Sequence, residues 1–172
     1  MSQGDVCILG IDPGLRVTGY GAIRYRPGRT ADLLDAGIIR LSSDKPIPDR
    51  LVELDAELTA LLAELRPDVV AVEMLYAHYA HPRTAILMAH ARGVILLAAR
   101  RQGVSVQQIP ANRIKKSLTG FGHAGKDAMQ RATQAYWKLP EPPAPADVAD
   151  ALAIALCCGR AMERPDLLQR DG

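Results

Sequence analysis

The chain has 172 residues, of which 48% are hydrophobic and 23% charged, so it suits a folded domain and is neither disordered nor fibrous. Its three cysteines include the adjacent pair Cys157 and Cys158, so no disulfide framework is predicted and the cytoplasm is the expected compartment. The first residues lack the basic region of a signal peptide, and the longest apolar stretch, 85–99, is too short to span a membrane.

The first half of the chain predicts three strands, a helix and a fourth strand. A short apolar run ends at Asp12 and Pro13, and the next segment alternates apolar and polar side chains. After turn residues at 42–48, leucines recur at helical spacing as far as Arg66. Residues 69–73 are apolar on both faces, as in a buried parallel strand. The predicted elements are strands 6–11, 17–25 and 33–41, a helix over 51–65 and a strand over 69–73.

The second half predicts four helices and one strand. A long helix, apolar almost all round, precedes a strand, and a glycine loop then separates two shorter helices. The predicted elements are helices 83–102, 111–118, 126–137 and 146–162, and a strand over 105–109. This order indicates an α/β fold in which helices flank a mixed sheet of five strands. We expect one domain over residues 1–172, with residues 163–172 as a flexible tail.

Charge is distributed unevenly along the chain. The net charge is +2, but residues 74–126 contain eight Lys or Arg, all four His and no Asp or Glu, so this segment carries +8 and the remainder −6. A basic face on an otherwise acidic molecule favours a polyanionic partner such as nucleic acid. Three of its arginines, Arg92, Arg100 and Arg101, are expected only to extend from helix faces into solvent.

Four carboxylates stand in places that ordinary packing does not explain. Asp12 and Glu73 each end an apolar strand, and the carboxyl ends of strands are where open α/β sheets place ligands. Asp147 and Asp150 are three residues apart, hence on one face of the last helix. Asp147 alone has an ordinary explanation as an acid in a first turn. Asp150 lies within an apolar stretch, where an unpaired carboxylate is strongly disfavoured.

A bound cation would remove that difficulty. Hard oxygen ligands without His or Cys favour Mg²⁺ or Mn²⁺ over zinc. If the two strand ends and the last helix converge, the four acids can hold two ions about 4 Å apart, an arrangement that drives in-line phosphodiester hydrolysis.

Several motifs resemble the RuvC family of Holliday junction resolvases. The similar blocks are GIDPG at 10–14, VTGYG at 17–21, VAVE at 70–73, HARG at 90–93, RIKK at 113–116, GFG at 120–122 and DVADALAIA at 147–155. They follow one another in the family's order, from about Cys7 to Cys158.

The resemblance implies an RNase H-like fold and a homodimer that cuts two opposed strands of a four-way DNA junction with Mg²⁺, two ions per active site, and Mn²⁺ as a substitute. It also implies a partnership with the RuvA–RuvB branch-migration complex. The metal-binding catalytic acids would be Asp12, Glu73, Asp147 and Asp150. The expected DNA contacts are Tyr76, Arg83, Arg113, Lys115, Lys116 and Lys126.

The loop after Glu73 departs from the family pattern, since it reads LYAHYAHP over 75–82 and is one residue longer. Tyr76 is the preferred junction-inserting aromatic because it keeps the three-residue offset from Glu73, and Tyr79 is the alternative. No Cys or carboxylate follows His78 and His81 within the next forty residues, so the two histidines are interpreted as loop or phosphate-contacting residues and not as a metal pair.

Two further motifs are a glycine-rich string and the cysteine pair. The string GFGHAGK at 120–126 has the start of a phosphate loop, but it follows a helix and ends in Lys126 and Asp127 without the Ser or Thr that holds Mg²⁺. Its glycines are expected to let the backbone approach a DNA phosphate beside Lys126. Cys157 and Cys158 are expected in the core as small apolar residues.

Two other functions remain open. An ATPase or sugar kinase of the same broad superfamily would also place an acid after the first strand, but it needs two glycine-rich phosphate turns and a longer chain. A junction-binding module without catalysis needs the basic segment, but it has no use for a buried Asp150.

Overall fold

The computed structural model describes residues 4–74 and 82–163, and the elements follow in the predicted order. The strands are β1 Val6–Asp12, β2 Val17–Tyr25, β3 Asp32–Arg40, β4 Val69–Glu73 and β5 Ser105–Ile109. The helices are α1 Ile47–Leu65, α2 Pro82–Arg101, α3 Ala111–Thr119, α4 Lys126–Trp137 and α5 Ala146–Met162. Half of these elements have the predicted bounds. The largest difference is at α1, which begins four residues early because Pro48 suits a first helical turn.

The strands form one mixed sheet in the order β3-β2-β1-β4-β5, which confirms the predicted fold class. β1, β2 and β3 are antiparallel neighbours, whereas β1, β4 and β5 run parallel. Ile11 pairs with Val72, and Asp12 pairs with Gly19. The last residues of β1 and β4 therefore lie side by side at one end of the sheet, which we call the carboxyl end.

Each face of the sheet has its own core. Leu9 and Ile11 of β1 point towards α1 and α2, where they pack with Leu54, Leu58 and Ile95. The alternate residue Ile8 points to the other face and packs with α3, α4 and α5. The core on that face includes Ile114, Met129, Leu152, Ile154, Cys157 and Cys158. The two cysteines are buried free thiols, as predicted.

Two glycines let α5 lie very close to the sheet. A Cβ atom at Gly10 would overlap with the backbone of Ala151 and Ala155, and one at Gly19 would overlap with the backbone of Asp147. Backbone approaches backbone here, so a side chain at either position would push the helix away. The first turn of α5, with Asp147, is thereby held against β2 close to the carboxyl end of the sheet.

Helix α2 is buried on one side only, although its sequence is apolar almost all round. Ala91, Ile95 and Ala98 face the core. Ile86 and Leu97, three turns apart, are 58% and 54% exposed. Across residues 4–74 and 82–163, every helix is too short or too polar to cross a bilayer.

Candidate active site

The turn after β1 fixes the position of Asp12. The Thr18 hydroxyl donates a hydrogen bond to the carbonyl oxygen of Gly14 at 2.7 Å and accepts one from the Gly14 amide at 3.2 Å. The buried Arg50 of α1 donates to the carbonyl oxygen of Leu15. Contacts from β2 and from α1 therefore fix the turn that follows Asp12. The backbone at Asp12 has little freedom to move as a result.

The backbone of Glu73 is held by Arg92, an arginine that was expected to extend into solvent. The Arg92 Nε on α2 donates to the backbone carbonyl oxygen of Glu73 at 3.2 Å, and its guanidinium also donates to the Gln108 side chain. Arg92 thus ties α2 to the ends of β4 and β5, and the expectation that it only reaches solvent is wrong. The signal in the sequence was a single Arg in the middle of an apolar helix.

The last helix brings the other two acids to the same place. Asp147 lies in the first turn of α5 above Gly19, and Asp150 follows on the same helix face. Asp150 is partly buried and lines a cleft with Glu73. The convergence expected from the sequence is therefore present, because β1, β4 and α5 all deliver their acids to the carboxyl end of the sheet.

The pKa values of these acids reflect their burial first and their mutual repulsion second. Burial raises the pKa of Asp12 well above its ordinary value, and the charges of Asp150, Glu73 and Asp147 raise it further. Burial also raises the pKa of Glu73, with Asp150 adding to the effect and Lys115 opposing it. The pKa of Asp150 is raised by burial too, against the opposing charge of Lys126. Each of these three carboxylates is therefore costly to keep ionised without a nearby cation.

The donor set fits a hard divalent cation. Four carboxylates, with no Cys or His among them, supply the oxygen ligands that Mg²⁺ and Mn²⁺ prefer. Within residues 4–74 and 82–163, no three acidic, His or Cys side chains are drawn tightly round one point. The acids are close enough to repel one another electrostatically, and a divalent cation would offset that repulsion.

Two lysines share the cleft with the acids. The cleft has a volume of about 290 Å³, and Lys115 of α3 and Lys126 at the start of α4 line it beside Glu73 and Asp150. Gly125 is the N-terminal cap of α4 and offers no side chain to the first amide groups of that helix. Positive charge and free amide hydrogens therefore border the acids on the side of α3 and α4.

The other predicted DNA contacts lie outside this cleft. Arg83 is exposed in the first turn of α2, and Lys116 is exposed on α3. Arg113 is half-buried and lies near enough to the Cys157 thiol to lower its pKa against the dominant effect of burial. Tyr76, Tyr79, His78 and His81 lie outside the described residues.

The glycine string at 120–126 joins α3 to α4, as the predicted order of elements indicated. Gly120 has φ 82° and ends α3, and its amide donates to the carbonyl oxygen of Lys116 at 2.9 Å. The left-handed conformation favours glycine at this position. The string therefore joins two helices and does not follow a strand, as a nucleotide phosphate loop does.

Comparison with known proteins agrees with this geometry. The family model described as crossover junction endodeoxyribonuclease RuvC matches residues 8–158. The protein of that name from Rhodopirellula baltica is 48% identical over 151 residues, which are 88% of this chain and 84% of the relative.

Two solved structures from Thermus thermophilus share the fold. The RuvC structure superposes with a TM-score of 0.82 at 31% identity, covering 92% of this chain and 96% of the other. The RuvC complex with a Holliday junction substrate has a TM-score of 0.81 at 33% identity, covering 88% and 92%. The RNase H-like fold expected from the motifs is thus confirmed, and the chain belongs to the RuvC family of crossover junction endodeoxyribonucleases.

Proposed function

We propose that this protein resolves four-way DNA junctions by cutting two opposed strands through metal-dependent phosphodiester hydrolysis, in DNA recombination and repair. The observation that carries the proposal is the meeting of Asp12, Glu73 and Asp150 at the carboxyl end of the sheet, beside lysines of the same cleft. The relatives support a four-way junction as the substrate, because they are named crossover junction endodeoxyribonucleases and one was solved with a Holliday junction substrate.

The catalytic acids of the proposal would hold two Mg²⁺ ions, with Mn²⁺ able to take their place. When bound, such ions polarise the phosphodiester, lower the pKa of the attacking water and stabilise the leaving oxygen. The support for this assignment is the all-carboxylate donor set and the raised pKa values of three of its members. The assigned residues are Asp12, Glu73, Asp147 and Asp150.

Lys115 and Lys126 bind the phosphate that is cut. Four carboxylates alone would repel a DNA phosphate, since like charges a few ångströms apart repel even in water. The two ammonium groups lie in the same cleft and already act on the acids, lowering the pKa of Glu73 and Asp150 against burial. They orient the backbone without reading its sequence.

Further contacts would extend along the basic segment. Arg83, Arg113 and Lys116 are assigned to phosphates outside the cleft, and Tyr76 to the unpaired centre of the junction. The excess of positive charge over residues 74–126 supports this assignment.

A homodimer explains how two opposed strands are cut symmetrically, because a two-fold axis pairs two identical active sites. We place the dimer contact on the outer face of α2, where Ile86, His90, Gly93 and Leu97 are exposed at helical spacing. The proposal also includes the RuvA–RuvB complex as partner, a cytoplasmic location and a single domain over the chain.

The test is cleavage of a synthetic four-way junction and of a duplex with the same arm sequence, with Mg²⁺ or with EDTA. We expect paired, symmetric nicks in the junction only with Mg²⁺, and binding without cleavage for Asp150→Asn. Junction binding without cleavage in either Mg²⁺ or Mn²⁺ would instead identify a binding module. ATP hydrolysis with no DNA cleavage would identify an ATPase.

A further inference from the structure

A second basic site lies at the carboxyl end of the sheet, on the side away from Lys115 and Lys126. Arg16 follows the turn after β1, and Arg40 ends β3. Together with Ser42 and Ser43 they line a groove of about 630 Å³ whose far wall includes Glu53 of α1. Both arginines are exposed. The groove thus offers guanidinium and hydroxyl donors on adjoining segments of the chain.

Strand register places Arg40 on the same face of the sheet as the acids. Ile38 pairs with Gly19, over which Asp147 lies, and Arg40 pairs with Val17 two residues further on. Because side chains two apart on a strand share a face, the Arg40 side chain leaves β3 on the α5 face, and the groove extends from there round the end of β3 to Glu53 of α1 on the opposite face. Asp12 pairs with Gly19 from the other side and shares this face.

The backbone around the two arginines is held in place, whereas their side chains are exposed. The amide of Leu41 donates to the carbonyl oxygen of Arg16 at 2.9 Å, which fixes the end of β3 to the turn after β1. Neither guanidinium makes an ion pair with any of the residues that the structure describes. The acid of the groove, Glu53, pairs with Lys45 at 3.3 Å.

The acids therefore lie between two basic sites. In the order β3-β2-β1-β4-β5, Arg40 is on the outer strand at one side, and the cleft with Lys115 lies beyond β4 at the other. Strands are about 4.8 Å apart, so β3 lies roughly 10 Å from β1. A DNA backbone bound at the acids has further phosphates within that distance.

We propose that Arg16 and Arg40, with the hydroxyls of Ser42 and Ser43, bind a backbone phosphate of the DNA strand that is cut. The strand crosses the carboxyl end of the sheet from the lysine cleft, past the acids, to this groove. Planar guanidinium groups suit such a site because each can donate two hydrogen bonds to one phosphate. The inference deepens the proposed function and rests on it.

The test combines charge removal in the protein with charge removal in the DNA. Junction binding is measured between 50 and 300 mM salt for the parent chain, Arg16→Gln, Arg40→Gln and the matched control Arg24→Gln. Arg24 is also an exposed strand arginine, but it lies at the opposite end of the β2 and β3 pair, opposite Asp32. Each variant is also measured on junctions that carry one neutral methylphosphonate at successive positions of the cut strand.

We expect Arg40→Gln and Arg16→Gln to weaken binding about fivefold and to reduce the salt slope by about 0.7 to 0.9 per lost contact, with Arg24→Gln at the parental slope. One methylphosphonate position should weaken the parent but add no further loss to Arg40→Gln. Arg40→Lys should keep most of the slope, since it keeps the charge.

Parental slopes in both arginine variants would overturn the inference, and so would a loss that is additive with every methylphosphonate position. In those cases the parent still cuts the junction in Mg²⁺ and the proposed function stands. If the parent chain binds junctions without cutting them, the proposed function is contradicted. The binding measurements then still show whether Arg16 and Arg40 contact a phosphate. Failure of the parent to bind junctions overturns both.

Discussion

The guanidinium of Arg92 donates a hydrogen bond to the backbone carbonyl oxygen of Glu73 across 3.2 Å, so a helix on one face of the sheet positions an acid at its end. The contact is to the backbone, which leaves the Glu73 carboxylate free for other ligands. Arg92 also donates to Gln108 on β5, so the two bonds together tie α2 to the ends of β4 and β5.

Arg92→Gln should therefore impair cleavage more than binding. We expect a fall of about 10- to 100-fold in the single-turnover cleavage rate, because small displacements of reacting groups have effects of that size. The half-saturating Mg²⁺ concentration should rise, while junction affinity and its salt slope stay parental. Arg100→Gln, an exposed arginine on the same helix, is the control. A parental Mg²⁺ dependence in Arg92→Gln would contradict a positioning role.

Asp12 should destabilise the protein in the absence of metal. Its pKa in the folded state lies well above the ordinary 3.8. The folded state therefore binds the proton more tightly than the unfolded state, so stability is lost as pH rises above about 4 and towards the folded pKa. In EDTA at pH 7, Asp12→Asn should raise the Tm by about 2 to 4 °C, which corresponds to roughly 1 kcal/mol for a chain of this size.

Mg²⁺ should offset that destabilisation, because an ion that binds only the folded state stabilises it. We expect a larger rise in Tm with Mg²⁺ for the parent than for Asp12→Asn, measured by scanning calorimetry. Asp44→Asn, which changes an exposed loop acid, is the control for loss of one negative charge. A lower Tm for Asp12→Asn in EDTA would show that Asp12 is stabilising and that the burial and repulsion of its charge are not its main effect.

Lys126→Gln and Lys115→Gln should each reduce the salt slope of junction binding by about 0.9, the contribution of one phosphate contact. Both lysines line the cleft of the acids, so we also expect slower cleavage at saturating DNA. The control is Lys138→Gln, since Lys138 lies just past the other end of α4. If Lys126→Gln binds like the parent at every salt concentration, Lys126 does not contact a phosphate.

An aromatic ring after Glu73 should be needed to cut junctions but not to bind duplex DNA. Stacking on an unpaired base contributes about 1 to 3 kcal/mol, and the ring supplies it without the hydroxyl. Tyr76→Phe should cut at close to the parental rate, whereas Tyr76→Ala should lose junction cleavage and keep its duplex affinity. Junction cleavage and duplex binding are both measured for each variant. Normal cutting by Tyr76→Ala together with loss in Tyr79→Ala would assign the wedge to Tyr79.

Most secondary structure was predictable because local patterns specify it. Strand β4, with apolar residues on both faces, and helix α5, an Ala-rich run that begins after Pro145, have the predicted bounds. α1 was predicted to begin too late, because Asp49 and Arg50 at its start do not follow the apolar period. Arg50 is in fact buried, with its charge directed to a backbone carbonyl in the turn after β1. A pattern of apolar residues does not reveal such a contact.

The acids were also identifiable from the sequence, since a carboxylate at the end of a buried strand or inside an apolar helix is unusual and can be recognised from the sequence pattern. Their convergence depends on tertiary structure. Parallel pairing of β1 with β4 puts Asp12 and Glu73 at the same end of the sheet, and contact of Gly19 with the Asp147 backbone brings α5 over them. Both depend on residues more than 50 positions apart in the chain.

For the basic residues, the sequence predicted the kind of partner but not the role of each side chain. The charge of residues 74–126 pointed to a nucleic-acid surface, but it did not separate Arg92, which supports Glu73, from Lys115, which lines the cleft. Nor did it suggest Arg16 and Arg40, which lie outside that segment and 24 positions apart. Only the antiparallel register of β2 and β3 brings those two together, because the alternation of side chains along each strand does not reveal which residue of one strand lies opposite which residue of the other.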